Sequence, residues 1–124
     1  MNKPRIVATA KIMHLVMKIK ETPGLLENSK DPQLGMFDGG KQLVLFDPDA
    51  PDIPAVKIHE LGHAMRYAIG IGDPADKQEE EEKTGLIEMG VCSFVRDNPR
   101  LTLQLVRELL GEQVWQRALK SMKP

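Results

Sequence analysis

A chain of 124 residues is the length of one ordinary domain, so one domain over 1–124 is the starting expectation. Seventeen Lys and Arg against eighteen Asp and Glu leave a net charge of −1, which removes the electrostatic case for nucleic acid or an anionic membrane as main partner. Hydrophobic residues at 41% suffice for a modest core, and no apolar run reaches the roughly eighteen residues of a membrane span.

The N-terminal stretch is basic and partly apolar, but Lys11, His14, Lys18 and Lys20 interrupt it, so it lacks a signal-peptide core. Residues 1–24 are expected to hold a first helix. Ile6, Ile12, Val16 and Ile19, with Met13 and Leu15, give a broad apolar side, and Pro4 suits the first turn. His14 within it reads as a surface or rim residue in preference to a metal ligand. Glu21-Thr22-Pro23-Gly24 breaks the helix.

Residues 25–50 read as strands and loops. Asn28-Ser29-Lys30-Asp31-Pro32 is a loop; Leu34, Met36 and Asp38 alternate with Phe37 as a short strand; Asp38-Gly39-Gly40 signals a turn. Lys41 to Asp47, KQLVLFD, is the strongest strand candidate, and the pair makes a β-hairpin. Asp47, Asp49 and Asp52 follow among prolines in a rigid acidic loop, read as solvated before it is read as a cation site.

Residues 55–70 carry the most specific signal, His59-Glu60-Leu61-Gly62-His63. Leu61, Ala64, Met65, Ala68 and Ile69 recur at three and four as a buried helical stripe requires, Pro51 and Pro54 suit the approach to a helix start, and Gly70, Gly72 and Pro74 suit its end. On a helix, side chains four apart leave the same face one turn apart, so both imidazoles reach one Zn²⁺ at about 2.0–2.1 Å. In zincins the glutamate after the first histidine is not a ligand; it takes a proton from the attacking water. Gly62 inside the helix costs about 1 kcal/mol against Ala, a cost that close approach of another element would explain.

Residues 74–97 are expected to form the second ligand helix, with Asp73 as N-cap and Pro74 at N1. Glu79-Glu80-Glu81-Glu82 complements the helix dipole at its start. Two histidines are one ligand short of a His₂Glu set. Stepping back by turns from Ile87 through Thr84 reaches Glu80, so Glu80 is the first choice for the third ligand, Glu81 the second, and Glu88 the fallback. Cys92 in this helix reads as a buried structural thiol; a lone cysteine excludes a disulfide framework within the chain and suits a reducing cytoplasm. Asp97-Asn98-Pro99 ends the helix, and residues 100–122 form a last amphipathic helix in which Trp115 anchors on the core or on a partner.

From Phe37 to Leu105 the chain resembles the small gluzincin-type proteins of phages and prophages and is similar, more distantly, to ImmA/IrrE-like metallopeptidases. The resemblance rests on a strand pair, then KIHELGHAM, then an acidic helix start leading to FVRDNP. KTGLIEMG departs from the Ala-Asn-x-Phe-Ala stretch usual in ImmA/IrrE-like proteins. The resemblance implies an α+β, reduced zincin-like fold with a three-stranded sheet against helices and the motif on the central helix. It also implies zinc on His59, His63 and a downstream glutamate, Glu60 as catalytic base, and a phage or prophage setting in a bacterial cytoplasm. The expected activity is zinc-dependent hydrolysis of a protein or peptide. Tyr67, one turn beyond His63, is an oxyanion helper if it reaches the cleft and a rim tyrosine otherwise. DNA-linked proteolysis is disfavoured by the absence of a basic tract. The rival reading is a non-enzymatic accessory protein that binds through Trp115 and its seven methionines.

Overall fold

Residues 5–21 form two strands where the apolar spacing predicts a helix, β1 (Arg5–Ile12) and β2 (Leu15–Glu21). Leu15, Met17 and Ile19 alternate with Val16, Lys18 and Lys20, and this period of two sorts the side chains: Met17 and Ile19 are buried while Val16 and Lys18 are exposed. The stretch is also rich in β-branched residues, which lose side-chain freedom in a helix. The turn between the strands escapes notice because its left-handed residue is Met13, at φ 56°, not Gly or Asn. His14 lies exposed in that turn.

The computed structural model describes residues 3–27, 33–70 and 76–122, and it is mixed α+β. The expected hairpin is present as β3 (Gly35–Asp38) and β4 (Leu43–Phe46), paired antiparallel from Gly35↔Phe46 to Asp38↔Leu43. With the N-terminal hairpin added, the sheet has four strands and not three, in the order β1-β2-β4-β3, β2 and β4 being parallel. The loop predicted at residues 28–32 lies outside the described residues.

Helix α1 (Ile53–Ala68) covers one face of this sheet, and Met17, Ile19, Val44, Phe46, Ala50, Val56 and Ala64 form the core. Its buried line is Val56, Glu60 and Ala64, four residues apart. The stripe predicted through Met65 and Ile69 points outward, at 45% and 53% exposure, because the sheet lies a quarter-turn away from it. Gly35 sets how closely α1 sits on β3. A Cβ there would lie 2.8 Å from Val56 Cγ1 and 3.0 Å from Glu60 Cγ, so only glycine allows the motif helix to rest on the strand.

The acidic loop before α1 is structural where solvation was expected. Asp47 is buried and accepts from the Leu26 and Asp49 N–H groups, each at 2.9 Å. Burial pushes its pKa up, but these bonds and further ones from Gly24 and Leu25 outweigh it and hold the carboxyl below its ordinary value. Asp52 caps α1, accepting from the Ala55 N–H at 3.3 Å, and Gly70 at φ 77° follows the helix end.

Helix α2 (Lys77–Asp97) starts on Asp76, whose Oδ1 accepts from the Glu79 N–H at 3.0 Å; the predicted stop at Gly72 and Pro74 and the predicted cap at Asp73 lie outside the described residues. The chain divides within this helix into two compact units, Met1–Met89 and Gly90–Pro124. In the second unit the predicted single helix is two, α3 (Pro99–Leu110) and α4 (Glu112–Ser121), parted by Gly111 at φ 79°. The Arg107 guanidinium sits 6.0 Å from the Trp115 ring centroid. No described residue of this unit is buried; Cys92, expected inside, is half-exposed. Among the described residues no helix is long and apolar enough to cross a membrane.

Candidate metal centre

The two imidazoles converge as their spacing predicts. On α1, His59 and His63 stand one turn apart with ring centroids 4.8 Å apart, and their Nε2 atoms face each other at 3.2 Å. Helix α2 approaches them closely because α1 carries Gly62 at the crossing, where an added Cβ would lie 3.1 Å from Thr84 Cγ2. The close approach that would explain a glycine inside the helix is therefore present.

The glutamates of α2 divide by position. Glu81 spans both inner nitrogens, with Oε1 2.7 Å from His63 Nε2 and Oε2 3.1 Å from His59 Nε2. Glu80, the first choice from the sequence, lies on the outer side of His63, with Oε1 3.0 Å from Nδ1. It also accepts from Arg66 Nε at 2.8 Å and from the Thr84 hydroxyl at 3.2 Å. Glu88 lies on the outer side of the other ring, with Oε1 2.7 Å from His59 Nδ1. Glu79 pairs with Lys83 at 2.5 Å, and Glu82 accepts from Gln78 at 3.3 Å.

Glu60 is 7% exposed, and it, His59 and His63 offer ligand atoms all within 4.8 Å of one another. Glu81 is the carboxylate that reaches both Nε2 atoms, at 2.7 and 3.1 Å, while Glu60 lies buried beside the two rings. Burial pushes the Glu60 carboxyl up to about 7, against the lowering pull of His63 and His59 and with a smaller upward push from Glu81 and Glu88. For His59, burial works against the charged ring, but the Glu88 bond and the charges of Glu60 and Glu81 outweigh it and raise its pKa. For Glu80, burial is outweighed by Arg66, His63 and Thr84, and its pKa is lowered.

Tyr67 stands at the rim, 48% exposed, its ring edge-on to Phe37 at 5.5 Å and covering Gly39. The histidines, Glu60, Glu81, Met36 and Tyr67 line a cleft of about 1120 Å³. Arg66, Thr84 and the outer role of Glu88 are not legible as site residues in the sequence. The available signal is that Glu80, Thr84 and Glu88 fall four apart on α2.

No protein-family model, no curated protein and no solved structure matches this chain. Two imidazole nitrogens and one carboxylate meeting from two helices is the His₂Glu combination that suits Zn²⁺.

Proposed function

We propose that this protein is a zinc-dependent peptidase of reduced zincin-like fold, in which His59 Nε2, His63 Nε2 and the Glu81 carboxylate hold the ion. The observation that carries the reading is the shared focus of these three groups, at 2.7–3.2 Å from one another, with buried Glu60 beside it. When bound, Zn²⁺ supplies Lewis acidity and lowers the pKa of a water towards about 7.

The chain's own residues do the rest. Glu60, with a pKa near neutrality, takes a proton from the attacking water and returns it to the leaving amine. Tyr67 at the rim offers its hydroxyl to the developing oxyanion if the substrate draws it inward. Strand β3 presents a main-chain edge along the same cleft. The Leu34 carbonyl accepts from the Asp47 N–H at 2.9 Å, so by antiparallel alternation Leu34, Met36 and Asp38 bond to β4 while the main-chain groups of Gly35 and Phe37 turn outward. An extended peptide pairs there with its scissile bond towards Glu60. The bacterial cytoplasm of a phage- or prophage-bearing cell belongs to the same proposal.

The test is zinc content after purification from unsupplemented cells, followed by cleavage of a mixed peptide pool by wild type and Glu60→Gln. Stoichiometric zinc in both proteins and cleavage only in wild type is the expected result. No zinc uptake even on addition overturns the reading. It would favour the accessory-protein alternative, which exposed apolar side chains of the second unit, such as Leu109 at 87%, would then serve.

A further inference from the structure

One face of α2 carries Glu80, Thr84 and Glu88 at successive turns, and all three point at the outer edges of the two imidazoles. Glu88 Oε1 lies 2.7 Å from His59 Nδ1, and Glu80 Oε1 lies 3.0 Å from His63 Nδ1. We propose that Glu80 and Glu88 are a pair of positioning residues, each holding one imidazole as the Nδ1–H tautomer with its Nε2 lone pair aimed at the common focus. The inference rests on the metal reading above and adds a function for the two glutamates that the ligand set does not use.

A neutral imidazole has one N–H and one lone pair, and only the lone pair binds a metal. A carboxylate accepts and cannot donate, so beside Nδ1 it draws the proton there and frees Nε2; Glu81 makes the opposite demand on the inner nitrogens, at 2.7 and 3.1 Å, unless a cation engages its oxygens. The same bond fixes the ring's rotation, which a single Cβ–Cγ torsion would otherwise leave broad. Both rings meet this condition from the same helix, while their Nε2 atoms face each other at 3.2 Å. Two Nε2–H groups facing each other at that separation would clash, so at most one ring can carry its proton inward, and an outer acceptor on each ring is what lets both inner nitrogens be free for a cation.

The two supports differ in strength. Glu80 is itself clamped by Arg66 and Thr84, and the Thr84 oxygen is 3.2 Å from His63 Nδ1, near enough to accept in its place. Among the described residues Glu88 is the sole acceptor at His59 Nδ1. Loss of Glu88 therefore has the larger effect, and the matching effect at His63 needs both Glu80 and Thr84 to be removed.

The experiment uses the full chain with ¹⁵N-labelled histidine. Ring nitrogen spectra are recorded at mildly alkaline pH, where neutral rings dominate, in a metal-free Glu81→Ala background, which removes the competing acceptor at Nε2. Zn²⁺ affinity is measured in chains that keep Glu81 by competition with a chromophoric chelator. The Glu81→Ala background is expected to show Nδ1–H at both rings. Glu88→Leu is expected to shift His59 towards Nε2–H and to weaken Zn²⁺ binding roughly 10–100-fold. Glu88→Gln retains a carbonyl acceptor and restores the tautomer and most of the affinity. Glu80→Leu with Thr84→Val transfers the spectral change to His63. The Glu88 side chain is 28% exposed, so its variants are not core disruptions, and Glu88→Ala is a second version of the loss. Wild-type protein that takes up no Zn²⁺ overturns the peptidase reading and this inference together. Wild-type zinc binding, with Glu88→Leu and Glu88→Ala unchanged in both tautomer and affinity, overturns this inference alone.

Discussion

The two units of this chain use similar apolar sequences to different ends. In Met1–Met89, alternating side chains of the sheet meet the face of α1, and Met17, Val44 and Ala64 are wholly buried. In Gly90–Pro124, α3 and α4 repeat Leu and Val at helical spacing just as regularly, yet Leu109 is 87% exposed and no described residue is buried. Periodicity names the face that wants burial; a second layer facing it is what delivers burial. The chemistry follows the burial. Withdrawal from water is the first cause of the raised Glu60 pKa, and it strengthens the contact of His63 with Glu80, whose side chains are 11% and 16% exposed.

This contrast can be tested from its strongest consequence to its weakest. Glu60→Gln is expected to reduce peptide cleavage by about 10²–10⁴-fold with zinc content unchanged. Leu109→Ala is expected to leave cleavage unaltered, and a comparable loss from Leu109→Ala would break the contrast. Met17→Ala, in the fully buried core, should cost about 2–5 kcal/mol in urea unfolding.

The pH dependence of the metal-free protein comes next. Folding raises the Glu60 carboxyl from 4.5 to about 7, so the native state holds a proton that the unfolded chain releases. That contribution is complete below pH 4.5 and is lost as pH rises through 7, a decline on the order of 3 kcal/mol at 1.36 kcal/mol per pH unit. The raised His59 pKa adds in the same direction, being lost as pH rises above its ordinary value of 6.5. Urea titrations of wild type and Glu60→Gln across this range should show the slope flatten in the variant. A parallel slope in both proteins would remove Glu60 as its source.

Gly35→Ala should cost about 1–3 kcal/mol by overpacking β3 against Val56 and Glu60. It should also lower cleavage, read as activity per folded molecule, because the carboxylate is pushed from its place. The smallest effect is Leu109→Ala on unfolding, within about 0.5 kcal/mol for so exposed a side chain. A larger loss would show that a partner layer covers this face in solution.

Local rules made much of the site legible. Two histidines four apart must share a helical face, whatever the rest of the fold, so the convergence of His59 and His63 is written in VKIHELGHAM alone. The β3–β4 hairpin is legible for the same reason, since Asp38-Gly39-Gly40 and the apolar run after it act over a few residues. The N-terminal segment was not legible, because Ile6, Ile12, Val16 and Ile19 satisfy a helix and a strand alike; pairing of β2 with β4, more than twenty residues away in sequence, selects the strand.

Four consecutive glutamates present the same difficulty at the site. Their order along α2 fixes only the angles between them, about 100° per residue. Which of them meets Nε2 and which meets Nδ1 depends on how α2 lies against α1 at Gly62 and Thr84, a distance set across two helices. The sequence by itself determined the pair of imidazoles and the acid between them. Only the tertiary structure decided that Glu81 faces their inner nitrogens while Glu80 and Glu88 face the outer ones, because rotation of one helix against another is governed by contacts that no single segment contains.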